Sequence, residues 1–173
     1  MDVVGAHVDV GLLVLRVAIG VGISLHGFQK LFGWFGGGGF DGTSRWFASL
    51  GFGDGRAAAA MAGFTESAAG LGFAVGFLTP LTAAGLIGVM TVAALVNNAE
   101  NGFWSADKGW ELNGYLIAVA AAVAITGPGR FSLDAAVGLD AISGLVPGLV
   151  ATAAGLGLGL LRYATRDRSV AEH

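Results

Sequence analysis

Cysteine is missing from all 173 positions, which excludes disulfides, thiolate-bound metals, iron–sulfur clusters and a cysteine nucleophile within this chain. Histidine is nearly missing as well. His7, His26 and His173 are scattered, too few for a metal-binding constellation, and one internal histidine cannot supply the usual pair of haem ligands within a single chain. Charged residues make up only 12% of the sequence, about half the share of a soluble domain. A net charge of -3 without a basic stripe leaves no electrostatic footprint for nucleic acid. No Lys or Arg precedes Arg16. The start therefore lacks the basic segment of a cleavable signal peptide, and its first apolar stretch is expected to be a retained helix.

What charge there is falls unevenly. Residues 10–29 hold only Arg16, residues 57–99 hold only Glu66, and residues 112–129 and 141–161 hold none. A bilayer core needs about 20 apolar residues per crossing helix. The chain therefore reads as an integral membrane protein of the all-α class, a polytopic helical bundle with four core transmembrane helices and a fifth, C-terminal one. It forms a single membrane domain, with a core bundle over 8–134, the additional helix over 141–162 and a short polar tail over 163–173. Spans are expected over Val10–Leu31, Ala57–Leu78, Leu81–Asn98, Leu112–Thr126 and Ile142–Leu161. Thr79-Pro80 breaks the chain between the second and third, because proline lacks an amide hydrogen and disfavours helix at the residue before it. Gly127-Pro128-Gly129 stops the fourth, and Pro147 stands near the start of the fifth, where it is tolerated.

Five crossings with the N-terminus outside put Lys30, Arg45, Arg56, Lys108, Arg162, Arg166 and Arg168 on the cytoplasmic side and only Arg130 on the other. That distribution fits the positive-inside rule. With four crossings the tail would lie outside and the bias would vanish. Trp34, Phe35, Trp46, Phe47, Phe52, Phe103, Trp104 and Trp110 cluster at span ends, where aromatic rings favour the headgroup zone. Thr43–Leu50 is expected to form a short interfacial helix. Trp34, Trp46, Trp104 and Trp110, with Arg130 on the opposite side, are the candidates for interfacial or docking contacts.

Few residues remain to carry chemistry. Ala58, Ala62, Glu66 and Gly70 share one helix face, so the Glu66 carboxyl is expected to point into the bundle rather than at lipid. Arg16 lies six residues inside the first span, where a charge costs at least ~2.5 kcal/mol on insertion scales. Taking Lys30 and Ala57 as level with one membrane surface puts Arg16 about 21 Å deep and Glu66 about 13 Å deep. An extended Arg side chain bridges much of that gap, which predicts an Arg16–Glu66 ion pair. Such a pair either locks two helices together or sets the charge of a pocket. His26, Gln29 and Lys30 close the first helix on neighbouring positions. There they are either a solvated helix end or a place for proton exchange with a quinone head group or buried water. Glu111 starts the fourth helix, where the dipole favours a carboxylate. His26, Lys30, Asn97, Asn98 and Glu111 fall near one membrane face with Glu66 one to two turns deeper, which predicts a shared polar pocket on the cytoplasmic side. Gly37-x-Gly39-x-x-Gly42 matches a dinucleotide fingerprint by letters only, since no strand precedes it and no βαβ unit fits. No Ser-His-Asp arrangement or metal-ligand spacing appears.

Several of these runs are similar to a known family. Leu15-Arg16, His26-Gly27-Phe28-Gln29-Lys30-Leu31-Phe32-Gly33, Glu66, Gly76-Phe77-Leu78-Thr79-Pro80, Gly102-Phe103-Trp104, Gly109-Trp110-Glu111 and Gly127-Pro128-Gly129-Arg130-Phe131-Ser132-Leu133-Asp134 resemble, in order, the pattern of DoxX proteins over residues 11–134. The resemblance implies a small bacterial or archaeal membrane protein of about four helices. It also implies a link to membrane-associated oxidoreductase complexes, the family name coming from a subunit of a quinone-reducing thiosulfate oxidoreductase. The apolar stretch after Asp140 goes beyond the common four-helix pattern. The expected role is a plasma-membrane subunit that anchors a soluble redox partner and forms a quinone-proximal site, with no cofactor held by recognisable ligands and no self-contained catalytic motif. The alternatives are a non-enzymatic scaffold, alone or as a homo-oligomer, and a small-solute or proton carrier. The carrier reading has no detectable repeat halves behind it.

Overall fold

A computed structural model describes residues 3–171. Its α-helices are α1 (Val3–Phe32), α2 (Gly39–Ser49), α3 (Arg56–Val75), α4 (Thr79–Ala93), α5 (Glu111–Thr126), α6 (Leu133–Ala136), α7 (Leu145–Ala164) and α8 (Arg168–Ala171). No strand occurs among the described residues, which removes the dinucleotide-fold reading of the glycine run. The helices α1, α3, α4, α5 and α7 alternate in direction. They give the bundle an α6 end, where α1 begins, and an α2 end, where α1 stops.

Four helical stretches are long and apolar enough to cross a membrane: Gly5–Phe32, Arg56–Val75, Thr79–Asn97 and Leu145–Ala164. The expected C-terminal helix is among them. α5 is shorter, 16 residues, because the Trp104–Trp110 turn cuts in before it and Gly127-Pro128 cuts in after it. It packs against both α4 and α7. The Ile23, Phe73, Leu86, Ile87 and Val123 side chains meet in the main core.

Small residues set the close packing. A Cβ on Gly20 would overlap the backbone of Gly70 and Ala74, and one on Gly27 would overlap that of Gly63 and Ser67. Backbones this near are how membrane helices gain dispersion contacts where no water is available to drive association. α7 packs on α4 in the same manner, Gly155 against Ala84 and Ile87 and Gly159 against Gly88 and Thr91. The helix expected over Thr43–Leu50 is present as α2. Its Phe47 packs with Phe52, Ala58 and Ala59 in a second small core. Phe47 and Phe52 are each only 5% exposed, so these two rings do not anchor in the headgroup zone. α2 folds back over the end of α1 and carries Phe47 against Phe52 and the start of α3.

The α3–α4 hairpin turns in three residues. Gly76 and Leu78 both take left-handed backbone angles, φ 66° and 47°, a conformation that costs a branched residue such as leucine about 1 kcal/mol or more. Asp134 holds it in place, as described below.

A membrane groove lined by an ion pair

The sequence-predicted pair between Arg16 and Glu66 does not form. The α1–α3 register set by Gly20 and Gly27 puts Arg16 opposite Gly76 and Glu66 opposite His26. Arg16 and His26 are ten residues apart, about 15 Å along the helix. The error lies in the reference level. Because α2 covers the end of α1, Lys30 is not at the height of the start of α3 but several residues deeper, beside Glu66. Lys30 Nζ donates to Glu66 Oε2 at 2.6 Å. Glu66 is 4% exposed, and Lys30 reaches it with its own backbone carbonyl accepting from Thr43 of α2.

This pair stands in a groove of about 360 Å³. α4 forms its floor, from Leu81 to the end of the helix. α3 forms one wall with Ala62, Thr65 and Glu66, and α7 forms the other with Leu158, Gly159 and Arg162. The rim residues Leu81 and Leu158 are exposed, at 67% and 64%, so the groove opens sideways, toward lipid. Its lining is mostly apolar, with Lys30, Thr65 and Glu66 part-way along it and Trp46, Asn97 and Arg162 toward the α2 end. There α4 unwinds into a π-helical turn over Ala94–Asn98, and Val96 and Asn97 of that turn face the groove. Turns of this kind recur at functional sites because they re-aim side chains at little cost.

Arg16 has a different partner. Its Nη1 donates to the Ala74 carbonyl at 3.2 Å and its Nη2 to the Phe131 carbonyl at 2.7 Å. Both Arg16 and Asp134 are 0% exposed. The Asp134 carboxylate accepts from the Leu78 N–H at 2.7 Å, the Thr79 N–H at 2.9 Å and the Thr79 hydroxyl at 2.7 Å, while the Asp134 N–H donates to the Gly76 carbonyl at 2.8 Å. A buried arginine and a buried aspartate thus tie α1 and the loop after α5 to the α3–α4 turn.

The DoxX family model matches residues 11–99, 89 of 173 positions, and so takes in Arg16, Lys30, Glu66 and the whole α4 floor of the groove. The chain belongs to the DoxX family. No curated protein and no solved structure gave a significant match. The DoxX match ends at Ala99, short of the runs over 102–134 that resemble the same pattern, and it leaves out Asp134 and all of α7. The groove of this DoxX protein therefore has its floor and one wall inside the matched region and its other wall outside it.

The remaining sequence-predicted residues divide between several places. Asn97 joins Lys30 and Glu66 in the groove. The side chain of Asn98 lies outside the described residues. His26 and Gln29 contact each other, Nδ1 to Oε1 at 3.0 Å, on the outer side of α1, and the Gln29 amide donates to the Phe35 carbonyl at 3.3 Å. Glu111 is not in the groove. Its carboxylate accepts from the Ser105 N–H at 2.9 Å and closes the Trp104–Trp110 turn. Trp34 stacks among Phe28, Phe32 and Phe35, and Trp104 and Trp110 flank Phe103. Trp46 lines the groove. Arg130 binds Asp9, Nε to Oδ2 at 2.7 Å, at the α6 end. No group of three or more metal-ligating side chains occurs among the described residues. Sequence reasoning missed Asp134, Thr79 and Arg162 as site residues. Asp134 sits in a run that looks like any polar loop, and its partners are 55 and 56 positions away.

Proposed function

We propose that this DoxX protein is the membrane-embedded subunit of an oxidoreductase complex, seated in a prokaryotic plasma membrane with its α2 end cytoplasmic, and that its groove admits a membrane quinone beside a soluble redox partner. The observation that carries the reading is the groove itself, open to lipid along its length, with the Lys30–Glu66 pair set part-way along its α3 wall. The α4 floor from Leu81 to Asn97 is seventeen residues, about 24 Å end to end, enough for a ring and several isoprenoid units. The donor set fits such a head group. Lys30 offers an ammonium to a ring oxygen, Glu66 accepts from a hydroxyl, and Trp46 borders them with an amphipathic ring. A bound quinone supplies two-electron, two-proton chemistry that no residue here supplies. The chain's own part is to exclude water around the ion pair and to hold a proton donor and a proton acceptor at one point. The exposed Trp34, Phe35 and Trp104, together with the basic residues of the same end, suit both headgroup anchoring and docking of a partner protein.

Purification from native membranes in mild detergent tests the reading. Quinone is expected to extract with the wild-type chain in near-stoichiometric amount, together with a flavin- or thiol-bearing partner. Glu66→Gln, which keeps size and removes charge, is expected to lower retained quinone by about tenfold, in line with loss of a charged hydrogen-bond partner, with assembly intact. A chain that carries no quinone and whose Glu66→Gln variant simply fails to accumulate would instead be a scaffold in which the pair serves packing.

A further inference from the structure

The groove has a second polar feature that the ion pair does not use. Lys30 and Glu66 neutralise each other at 2.6 Å. Arg162, on the α7 wall toward the α2 end, has no carboxylate within ion-pair distance among the described residues. Its guanidinium lies over the Phe52 ring, 4.5 Å from the centroid, which holds it in place without neutralising it. The helix that carries it is anchored beyond Arg162, because the Asp167 N–H donates to the Gly51 carbonyl at 2.8 Å. The result is a positioned, unpaired cation at the interfacial end of an apolar groove that opens to the bilayer.

We infer that Arg162 makes the mouth of the groove a site for an acidic phospholipid, its phosphate on the guanidinium and an acyl chain along the Leu158 and Leu81 rim. The charge balance argues for this occupant. A matched pair suits a neutral head group, whereas a lone guanidinium in a half-buried, low-dielectric position favours an anion, and a phosphate matches its planar donor fork. The apolar rim argues for an anion that carries a chain. The site rests on the groove being open to lipid, as in the functional reading above, but not on a quinone occupying it. Because α7 lies outside the DoxX match, this site would be a property of chains that have the extra helix.

The test is the thermal unfolding midpoint of the full chain in neutral detergent, titrated with phosphatidylglycerol or with phosphatidylcholine. Phosphatidylglycerol is expected to raise the midpoint saturably and phosphatidylcholine to do so much less. Glycerol phosphate, which has the charge without the chain, is expected to have no effect. Arg162→Gln should weaken the phosphatidylglycerol response about fivefold, as expected for one basic residue at an anionic lipid surface, while Arg168→Gln leaves it unchanged. Glu66→Gln should lower quinone retention yet keep the lipid response, so the two readings fail separately. If Arg162→Gln does not fold, Arg162→Lys, which keeps the charge but loses the fork, should retain a weakened response. Ala62→Trp, which fills the groove, should abolish it. Equal responses to the two lipids, or equal losses in Arg162→Gln and Arg168→Gln, would overturn the site.

Discussion

Glu66 and Arg16 are both charges inside helices that face hydrocarbon, and they are neutralised in different ways. Arg16 donates to two backbone carbonyls at the level of a turn, with Asp134 close by and no surface exposed. Glu66 takes a single short bond from Lys30 and is bordered by open groove. A buried pair is weak evidence for stability, since desolvation offsets much of its attraction, but breaking one leaves an uncompensated charge. Lys30→Met is therefore expected to cost about 3 kcal/mol in unfolding free energy. The double variant Lys30→Met, Glu66→Met should recover most of that loss. A double-mutant cycle in detergent–SDS unfolding measures both. A double variant as unstable as the single one would mean that the loss does not come from a stranded Glu66 charge. If the recovered double variant also loses quinone, the pair is retained for binding.

At the scale of elements, the helices were legible and their relative heights were not. Long uncharged runs, the Thr79-Pro80 break and the Gly127-Pro128-Gly129 stop locate α3, α4, α5 and α7 to within a few residues, because each reports a local preference of the backbone, whereas α1 begins at Val3, seven residues before the expected span. The α1–α3 register depends on where α2 folds. Nothing in Gly39–Ser49 says that this helix lies over the end of α1 and puts Lys30 deeper than the start of α3. For that reason the small-residue face around Glu66 gives its burial, while the choice of Lys30 over Arg16 as its partner depends on the register. Asp134 was illegible for a similar reason. Its role depends on a turn 55 residues earlier whose Leu78 takes an unfavourable angle. The same dependence predicts its weight. Asp134→Ala removes the acceptor for three donors and the charge facing Arg16, and is expected to cost about 3–5 kcal/mol. The loss should appear as faster amide exchange concentrated at Phe77–Thr82 and in the first residues of α6. A loss spread evenly over the bundle would contradict the latch.

At the scale of the whole molecule, five helices in alternating directions place the chain's start and its tail at opposite ends. Lys30, Arg45, Arg56, Lys108, Arg162, Arg166 and Arg168 lie toward the α2 end, and Arg130 lies at the α6 end. With the α2 end cytoplasmic, the absence of cysteine makes the arrangement simple to check by single-cysteine labelling. Ser169→Cys should react with an impermeant maleimide only after the cells are opened, and Val137→Cys, beside α6, should react in intact cells. Reaction of both in intact cells would mean that α7 does not cross.

The groove is the feature on which the functional reading turns, and a density map of the full chain in lipid nanodiscs made from its native membrane addresses it directly. The account predicts elongated density lying along α4 between α3 and α7, with a compact head against Lys30 and Glu66. A groove closed by contact of α3 with α7, or lipid chains confined to the outer faces with nothing beside Glu66, would contradict it.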